Sequence, residues 1–332
     1  MGRIAINGLG RIGRAALKII LDTPGLTVVA INDLAPLENL TYLLRYDTVY
    51  GRYEKPVECG LERLVVGGQS IKVLHQMDPA KLSWRELQID LVLECTGHFT
   101  KREDLEKHIQ AGARSAILSA PSGSEEVVTR VFGVSQSGKQ PPVISCASCT
   151  TNCITPVAEI MDRRIGVKKA TMTTVHAYTA NQGIVDSPSK KMRRGRAGAA
   201  NLVPTSTGAA IATTKVLPQY RGKFDGLAVR VPVPVGSLID LVFVTARNTS
   251  VEEVDRIFKE EAASERYQGV LGVTEDPIVS ADIIQDPRAS IVDLAMTQVV
   301  DGDLVKVLSW YDNEWGYAAQ MVREAARLVR SL

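Results

Sequence analysis

Apolar residues in the first half of the chain alternate between short runs and helical spacing. Arg3–Asn7 (RIAIN) is a short apolar run, and the residues that follow, to about Leu21, place apolar side chains at helical intervals. Similar strand and helix patterns recur at Leu26–Ile31, Leu91–Glu94, Lys101–Ala111 and Ser115–Leu118. Glycine turns between Tyr53 and Val73 indicate an edge hairpin. The alternation predicts a parallel sheet covered by helices.

The second half of the chain has a different pattern. A helical run from Thr150 to about Ile165 is followed by runs of β-branched residues separated by close Gly/Asp turns. Strands are predicted at Lys168–Val175, Leu227–Val231, Leu238–Thr245, Ile291–Asp293, Thr297–Val300 and Leu304–Trp310. A hydroxyl-rich helix start is predicted at Thr205–Gly208, and Tyr317–Leu332 is predicted to be an amphipathic helix with a basic outer face. The short connections predict a mostly antiparallel sheet.

A glycine-rich turn joins the first predicted strand to the first predicted helix. Gly8, Gly10 and Gly13 have the spacing G-x-G-x-x-G, which allows a tight turn, a close approach of the backbone to a pyrophosphate, and close packing of helix on strand. The amides of Arg11 and Ile12 would then point at the phosphates. The turn therefore predicts a dinucleotide site.

Polar and small residues follow the predicted strands. Asp33 lies twenty residues after Gly13, where a carboxylate accepts hydrogen bonds from an adenosine ribose and repels a 2′-phosphate. Thr96, Gly97 and Ser119 follow the next two strands and suit a ligand lying across the sheet edge. A simple turn is the alternative at each position. The carboxylate of Asp33 favours NAD over NADP.

The two patterns together predict an α/β protein with two domains. Residues 1–148 are expected to form an N-terminal Rossmann dinucleotide-binding domain, which a C-terminal helix at 314–332 completes. Residues 149–313 are expected to form an α+β catalytic domain with the mostly antiparallel sheet. A chain of 332 residues is long enough for both.

Composition narrows the class of protein. The net charge of +2 gives no general attraction to nucleic acid or to a membrane surface, and no apolar run approaches the length of a membrane span. Met1 leads directly into the first strand, so we expect no signal or transit peptide. Five unevenly spaced cysteines argue against a disulfide framework and for a soluble cytoplasmic protein.

Residues 177–200 form a long stretch without helical or strand periodicity, and the stretch contains five basic residues. Such a loop inside a compact domain is usually functional or disordered. Nucleic-acid binding is disfavoured because no aromatic residues interleave with the basic ones. A solvated face, a subunit contact and a phosphate site remain open.

Cys149 lies where a loop turns into the predicted helix after residue 145. The free amides and the positive dipole of a helix start favour the thiolate, which is the nucleophilic form. A buried structural cysteine is an equally weighted alternative. The spacing of Cys146, Cys149 and Cys153 also suggests a metal or iron–sulfur site, but no fourth cysteine lies nearby, and we expect no metal. Cys153 is interpreted as a packing residue.

His176 ends the strand that follows the Cys149 helix, which makes it a candidate base. The other histidines, His75, His98 and His108, are interpreted as surface or turn residues. Thiolate attack on an aldehyde, loss of a hydride to a nicotinamide and removal of the hydroxyl proton by His176 would leave a thioester. Hydroxyl, amide and guanidinium groups suited to an anion site are those of Ser148, Thr150, Thr179, Thr207, Gly208 and Arg230.

The sequence resembles the phosphorylating glyceraldehyde-3-phosphate dehydrogenases over its whole length. The matching motifs, in chain order, are INGLGRIGR, IND, CTG, SAPS, ASCTTN, HAYT, PTSTGAA, RVP and WYDNEWGY. The motif ASCTTN, which contains Cys149, is the most specific of them. The resemblance implies a glycolytic and gluconeogenic oxidoreductase that converts glyceraldehyde 3-phosphate and inorganic phosphate to 1,3-bisphosphoglycerate with NAD. It also implies a homotetramer whose S-shaped loop, at about 177–201, lies at subunit and cofactor contacts.

The resemblance also implies a role for each matching residue. Cys149 would be the acylated nucleophile, and His176 would raise its nucleophilicity. The phosphate group of the substrate would be held by Thr179, Arg194 and Arg230, and the attacking phosphate by Ser148, Thr150, Thr207 and Gly208. Contacts to NAD are implied for Arg11, Ile12, Asp33, Met77, Ser119, Asn313 and Tyr317.

Three positions depart from the pattern of the family. Met77 stands where many relatives have Arg, Val235-Gly236 replaces a common Asn-Val, and Ser187 stands where NAD-dependent relatives often have Leu or Gly. NADP-using relatives have a small residue followed by Ser in that loop, whereas here Pro188 follows Ser187. Two alternatives remain open: an erythrose-4-phosphate dehydrogenase of the same chemistry, which the intact anion residues disfavour, and an inactive NAD-binding scaffold, which would need neither Cys149 nor His176.

Overall fold

The computed structural model describes residues 1–135 and 141–332. Contacts within the chain divide these residues into two compact units. The first unit contains residues 1–130, 141–147 and Ala318–Leu332, and the second contains 131–135 and Ser148–Tyr317. The short segment at 131–135 therefore groups with the second unit, which the predicted domain boundaries do not anticipate. The predicted functions of the two domains remain predictions at this point.

The first unit begins with alternating strands and helices, as expected from a pattern of short apolar runs and helical spacing. Its elements are β1 (Gly2–Asn7), α1 (Arg11–Leu21), β2 (Leu26–Asn32), α2 (Leu37–Arg45), β3 (Tyr46–Asp47), β4 (Gly51–Arg52), β5 (Val57–Gly60), β6 (Arg63–Val66), β7 (Gln69–Leu74), β8 (Leu91–Glu94), α3 (Arg102–Gln110), β9 (Ser115–Leu118), β10 (Val128–Thr129) and β11 (Val143–Ser145). The predicted strands and helices of this half are present within one or two residues. Helix α2 and the β3–β4 pair had no predicted counterpart.

Within the described residues, the first unit contains a nine-stranded sheet in the order β10-β11-β9-β8-β1-β2-β7-β6-β5. The pairs from β10 to β7 are parallel, and β5, β6 and β7 pair antiparallel at the edge. In place of the predicted edge hairpin, three antiparallel strands form this edge of the sheet. One core of this unit packs Trp84 and Leu105 against residues of β8, β9 and β11. The α/β Rossmann prediction for this half is confirmed.

The second unit is built on a long strand that follows a long helix. Its elements are α4 (Cys149–Arg164), β12 (Val167–Ala177), β13 (Val203–Ser206), α5 (Ala209–Val216), β14 (Phe224–Val231), β15 (Ser237–Thr245), α6 (Val251–Ala262), β16 (Leu271–Thr274), β17 (Ser290–Val300) and β18 (Leu304–Tyr311). The last helix, α7 (Trp315–Val329), starts in the second unit and contributes its residues from Ala318 to the first.

The seven-stranded sheet of the second unit has, among the described residues, the order β13-β14-β12-β15-β18-β17-β16. Four neighbouring pairs are antiparallel, whereas β12–β14 and β16–β17 are parallel. The prediction of a mostly antiparallel sheet is confirmed. The parallel pair β12–β14 aligns two residues on which the candidate site depends, as described below.

Three local predictions in the second half are wrong or incomplete. The runs at Ile291–Asp293 and Thr297–Val300 are one strand, β17, with a break in its pairing between Asp293 and Gln298. Thr205 and Ser206 belong to strand β13, and α5 starts only after Gly208, because pairing with β14 extends the backbone there. The loop at 177–200 contains 3₁₀ turns at Met192–Gly195 and Gly198–Ala200.

Candidate active site

Cys149 is the first residue of helix α4. The side chain of Ser148 caps this helix by accepting a hydrogen bond from the amide of Thr151 at 3.1 Å. The preceding residue, Ala147, is fully buried and has a φ of 57°, a left-handed conformation that a residue with a Cβ adopts only when its surroundings impose it. The turn and the cap together fix the first residue of the helix. The predicted placement of Cys149 at a helix start is confirmed.

His176 lies near the end of β12 and reaches the Cys149 sulfur. The distance between Cys149 Sγ and His176 Nε2 is 3.4 Å. In the parallel β12–β14 ladder, His176 pairs directly with Arg230. Arg230 Nη1 lies 2.6 Å from His176 Nδ1 and 2.8 Å from the carbonyl oxygen of Ala177. The sequence-predicted thiol, imidazole and guanidinium therefore meet in one cluster.

Two groups of opposite hydrogen-bonding character meet Nδ1 of His176. Arg230 Nη1 can only donate, whereas the carbonyl oxygen of Ala177, at 2.6 Å, can only accept. The neutral ring therefore has two available forms, one with the proton on Nδ1 donating to Ala177 and one with the proton on Nε2 facing the sulfur. With the proton on Nδ1, Nε2 accepts from the Cys149 thiol, and with the proton on Nε2 it donates to the thiolate. The first form is the one that a base at Nε2 requires, and the role of His176 as a base stays a prediction.

Burial and charge act in opposite directions on the thiol. Burial raises the pKa of Cys149, and the Arg230 charge, together with hydrogen bonds from Thr150, lowers it by less. The sequence analysis expected the helix start to favour the thiolate, but desolvation of the thiolate is the larger effect, so the pKa of Cys149 is raised on balance. Burial, followed by the positive charge of Arg230, lowers the pKa of His176 to about 3, which keeps the ring neutral.

Tyr311 is part of this cluster, although the sequence analysis gave it no role. Its buried hydroxyl lies 3.0 Å from both Thr150 Oγ1 and Thr174 Oγ1. Its ring meets the ring of His176 edge-on, with 5.9 Å between the centroids. Tyr311 therefore ties the start of α4 to β12 and supports the imidazole. The only sequence signal was its place in the motif WYDNEWGY.

The residues predicted to bind anions are distributed around this cluster. The charge of Arg194 contributes to lowering the pKa of both Arg230 and His176, so two guanidinium groups are near each other. Such a pair of like charges suits a dianionic ligand. Arg194 itself donates to Thr205 Oγ1 at 3.0 Å.

The predicted hydroxyl ligands are already engaged in local hydrogen bonds. Thr179 donates to Asn181 Oδ1, Thr207 Oγ1 accepts from the amide of Ala209, and Ser148 caps α4. Thr150 is buried against Tyr311. Gly208 precedes the first residue of α5, and a Cβ added there would meet no atom within 4 Å, which leaves space beside its amide.

The first unit contains a cavity of about 410 Å³ at the carboxyl ends of its parallel strands. Asn7, Gly8 and Gly10 line one part of it, and Asn32, Asp33, Thr96 and Met77 line others. A cleft at this edge of a doubly wound sheet is where dinucleotides bind. The glycine turn and the strand ends that the sequence predicted therefore lie around one cavity.

The backbone around this cavity fits a dinucleotide. Gly8 has a φ of 92° and a Cβ there would lie 2.7 Å from the amide of Thr96, while a Cβ at Gly13 would lie 2.1 Å from the carbonyl oxygen of Gly8. Only glycine allows this close packing of β1, α1 and the turn after β8. Gly10 is the N-cap of α1 and makes no side-chain hydrogen bond to the helix, and the start of a helix suits a phosphate group.

Asp33 is held at the cavity by backbone amides. Its Oδ2 accepts from the amide of Leu9 at 2.7 Å, and its Oδ1 accepts from the amide of Ala35 at 2.9 Å. A carboxylate oxygen has a second lone pair, so ribose hydroxyls still find acceptors. The Arg11 side chain forms an ion pair with Asp47, with 2.5 Å between Nη1 and Oδ2.

The remaining cofactor candidates fall into two groups. Met77 and Thr96 line the cavity, and Gly97, Ser119 and Ile12 belong to the same unit. Asn313 and Tyr317 belong to the second unit, where Asn313 Oδ1 accepts from Ser237 Oγ at 3.0 Å. The roles of all these residues remain predictions.

One histidine is misplaced by the sequence analysis. His75 and His98 are exposed as predicted, but His108 is fully buried, so its interpretation as a surface or turn residue is wrong. It lies one turn after Leu105 on α3, and both side chains point into the core. Its partners are the indole of Trp84 and the carboxylate of Glu94. An apolar residue three positions before His108 was the available signal.

Two structural searches cover the described residues only. Within 1–135 and 141–332, no three His, Cys, Asp or Glu side chains form a group that could hold a metal ion. In the same part of the chain, no helix has the length and apolar character needed to cross a membrane.

Comparison with known proteins agrees with the geometry of both units. Residues 2–102 match the family profile described as glyceraldehyde 3-phosphate dehydrogenase, NAD binding domain, and residues 148–313 match the profile of its C-terminal domain. Glyceraldehyde-3-phosphate dehydrogenase 2 of Streptomyces avermitilis is 48% identical over 324 residues, covering 96% of each chain. The enzymes of Clostridium pasteurianum (48% identical, 97% of each chain) and Bacillus subtilis (glyceraldehyde-3-phosphate dehydrogenase 1; 46% identical, 99% of this chain and 98% of that one) are similarly close. The chain belongs to the glyceraldehyde-3-phosphate dehydrogenase family.

Proposed function

We propose that this chain oxidises and phosphorylates glyceraldehyde 3-phosphate to 1,3-bisphosphoglycerate through a thioester on Cys149. Its family membership makes NAD its cofactor and glyceraldehyde 3-phosphate its substrate. The observation that carries the proposal is the 3.4 Å contact between Cys149 Sγ and His176 Nε2, with Arg230 on the other ring nitrogen. A nucleophile, an imidazole and an anion-binding cation in one cluster suit acyl transfer from a phosphorylated aldehyde.

The first step forms a bond between the Cys149 thiolate and the aldehyde carbon. The carbonyl oxygen then carries the negative charge, and Nε2–H of His176 is placed to donate a hydrogen bond to it. When the carbon loses its hydride, the C=O bond re-forms and a thioester remains. His176, whose Nε2 lies 3.4 Å from the sulfur, takes the thiol proton before the attack and passes it to solvent once the thioester has formed. NAD, when bound, supplies the hydride acceptor.

The second step transfers the acyl group from sulfur to phosphate. An oxygen of inorganic phosphate attacks the thioester carbon, the C–S bond breaks, and the Cys149 thiolate and an acyl phosphate are released. We assign the phosphate group of the substrate to Arg230, Arg194 and Thr179. The attacking phosphate is assigned to Thr207 and Gly208 at the start of α5, with Ser148 and Thr150 at the start of α4. The nearby guanidinium groups and the space at Gly208 support these assignments.

The cofactor would be held by the first unit through its glycine turn and Asp33. The amides of Gly10, Arg11 and Ile12 are proposed to bind the pyrophosphate and Asp33 the adenosine ribose, which excludes a 2′-phosphate. Met77, Thr96, Gly97 and Ser119 are proposed to complete this part of the site. Asn313 and Tyr317 are proposed to orient the nicotinamide.

The proposed assembly is a homotetramer in the cytoplasm. Large apolar side chains in and next to the loop at 177–200 are exposed in the single chain, among them Ile184, Met192 and Leu202. All five cysteines are free, as in a reducing compartment. Light scattering coupled to size exclusion tests the tetramer, and a monomer at micromolar concentration would contradict it.

Rapid-mixing kinetics test the two chemical steps separately. Without inorganic phosphate, glyceraldehyde 3-phosphate and NAD should give a burst of one NADH per site and then slow turnover, because the thioester accumulates. Phosphate should restore steady turnover. Equal steady-state rates with and without phosphate would contradict the phosphorylating step. Erythrose 4-phosphate in the same assay tests the alternative substrate. A higher kcat/KM for erythrose 4-phosphate than for glyceraldehyde 3-phosphate would contradict the proposed substrate.

A matched pair of variants locates the attacking phosphate. Thr207→Ala should raise the KM for inorganic phosphate and leave the burst unchanged, because its hydroxyl acts only in the second step. Thr214→Ala, in the same helix α5 with an exposed hydroxyl, is the control and should change neither quantity. A reduced burst in Thr207→Ala would remove Thr207 from the phosphate site.

A further inference from the structure

A chain of hydrogen-bonded, buried side chains leads to the cofactor cavity of the first unit, and the reaction proposed above makes no use of it. Trp84, His108 and Glu94 are each 0% exposed. Glu94 ends strand β8, and His108 lies on α3. Burying a carboxylate and an imidazole is costly unless every polar atom is paired. The positions of these side chains therefore need an explanation.

The direction of each hydrogen bond in this chain is determined by Trp84. An indole N–H can only donate, and Trp84 Nε1 lies 3.1 Å from His108 Nδ1. His108 Nδ1 therefore accepts, and the ring carries its proton on Nε2. His108 Nε2 lies 3.1 Å from Glu94 Oε2 and donates to it.

Glu94 accepts hydrogen bonds at both of its oxygens. Oε2 accepts from His108 and from Asn7 Nδ2, the latter at 2.5 Å. Oε1 accepts from the amide of Thr96 at 2.8 Å and from its hydroxyl at 2.5 Å. All four partners are donors, which suits a carboxylate because it only accepts.

These bonds fix the two residues that face the cavity. The Thr96 hydroxyl donates to Glu94 and accepts from the amide of His98 at 3.1 Å, so its rotamer is determined. Asn7 donates to Glu94 while its Oδ1 accepts from Asn32 Nδ2 at 2.7 Å, so its amide has one orientation. Asn7 and Thr96 both line the cavity. Side chains that are already oriented lower the cost of binding a ligand.

We propose that Glu94 is a positioning residue for NAD: it orients Asn7 and Thr96 at the cavity, and His108 and Trp84 orient Glu94 in turn. The inference rests on the proposed cofactor site in the first unit. Glu94 does not touch the cavity in this account and takes no part in the chemistry at Cys149. Its loss should therefore change the affinity for NAD and leave the chemical step unchanged.

Glutamine at position 94 is the most informative substitution. A glutamine side chain has the shape of Glu94 but presents an NH₂ group at one end. Placed toward Thr96, this NH₂ faces the backbone amide, and placed toward Asn7 it faces an amide NH₂ and His108 Nε2–H. Either orientation puts donor against donor, so Asn7 or Thr96 must move.

The experiment measures NAD binding by calorimetry and steady-state kinetics with the full chain. Glu94→Gln should raise the dissociation constant and KM of NAD about tenfold, as expected for one unpaired buried donor, and leave kcat at saturating NAD within about twofold. Leu64→Ala is the control, since Leu64 is equally buried in β6 of the same unit but outside the chain of hydrogen bonds. It should lower the melting temperature without changing NAD affinity.

A second variant and a spectroscopic measurement keep the test independent of folding. Nitrogen NMR should show His108 with its proton on Nε2. Trp84→Phe removes the indole donor and keeps an aromatic ring, so it should populate both tautomers and raise the NAD dissociation constant about threefold. Unchanged NAD affinity in folded Glu94→Gln, or in Trp84→Phe if the former does not fold, would overturn the inference. Failure of the unmodified chain to bind NAD would instead overturn the proposed cofactor site.

Discussion

The two buried histidines of this chain, His108 in the first unit and His176 in the second, have similar hydrogen bonding and different consequences. Each presents Nδ1 to a donor, the indole of Trp84 or the guanidinium of Arg230, but Nδ1 of His176 also lies 2.6 Å from the carbonyl oxygen of Ala177, which only accepts. Each directs Nε2 toward an acidic group. For His108 that group is the Glu94 carboxylate at 3.1 Å, and for His176 it is the Cys149 sulfur at 3.4 Å.

The difference lies in what surrounds the acidic group. Around Glu94, four donors satisfy both oxygens, and the cluster is closed. Around Cys149, the contacts are longer and a cation replaces the indole. Burial raises the pKa of the thiol and the Arg230 charge opposes this, whereas burial and the Arg230 charge both lower the pKa of His176. Arg230 Nε has no hydrogen-bond partner within the described residues. A buried imidazole thus acts as a structural support where every neighbouring polar atom has a hydrogen-bond partner. It acts as part of a reactive site where neighbouring polar atoms still have hydrogen bonds to offer a ligand.

The largest effect is expected from the sulfur itself. Cys149→Ser should lower kcat by on the order of 10³-fold or more, because a serine hydroxyl is hardly ionised at neutral pH. The dissociation constant of NAD, measured by calorimetry, should be unchanged. Turnover near that of the unmodified protein would sink the covalent mechanism.

The comparison of the two histidines can be tested directly with the same substitution. His176→Gln should lower kcat about 10²- to 10⁴-fold, because the sulfur and the oxyanion lose the imidazole that exchanges a proton with them. His108→Gln should leave kcat nearly unchanged and raise the KM of NAD. Steady-state kinetics at saturating substrate measure both quantities. A comparable fall of kcat in His108→Gln would show that the two histidines do not differ in the way described here.

Substitution of Arg230 tests two effects with two measurements: the effect of its charge on the Cys149 thiol and its binding of the substrate phosphate. Arg230→Leu should cost about 2–4 kcal/mol in kcat/KM for glyceraldehyde 3-phosphate and less for unphosphorylated glyceraldehyde, which has no phosphate to bind. Because the Arg230 charge lowers the pKa of Cys149, its removal should move the midpoint of iodoacetamide alkylation to higher pH.

The control for this variant is Arg196→Leu, which removes an exposed arginine of the loop at 177–200 whose partner is Asp186. It should leave unchanged both the pH midpoint of alkylation and the ratio of the kcat/KM values for the two aldehydes. If Arg230→Leu weakens both aldehydes equally, Arg230 is not the anchor of the substrate phosphate.

The smallest effect is expected for the choice of cofactor in the first unit. The unmodified protein should prefer NAD over NADP by at least tenfold in kcat/KM, about 1.4 kcal/mol. Asp33→Ala should reduce this ratio, chiefly by admitting NADP, because the carboxylate no longer repels the 2′-phosphate. Equal use of the two cofactors by the unmodified protein would contradict the role of Asp33 and direct attention to Ser187.

Local features of this protein were determined by the sequence itself. The turn at Gly8–Gly13, the helix starting at Cys149 and the strands β8 and β9 depend on residues close in the chain, so their patterns could be read directly. Where the expectation failed, a distant partner was responsible. Pairing with β14 extends Thr205 and Ser206, and desolvation in the folded chain outweighs the helix start at Cys149. The match of the motifs to a known family named the chemistry, but it gave no role to Tyr311 and none to Glu94.

The tertiary structure alone decided which side chains meet. His176 and Arg230 are far apart in sequence, and only the register of the parallel pair β12–β14 puts them side by side. Trp84, Glu94 and His108 come from three segments, and the folding of α3 onto the sheet brings them into one chain of hydrogen bonds. A hydrogen bond requires positions accurate to a few tenths of an ångström, and sequence patterns specify faces and periods rather than such distances. The proton position at His108 and the lowered pKa of His176 follow from these contacts, and so they emerged only in the folded chain.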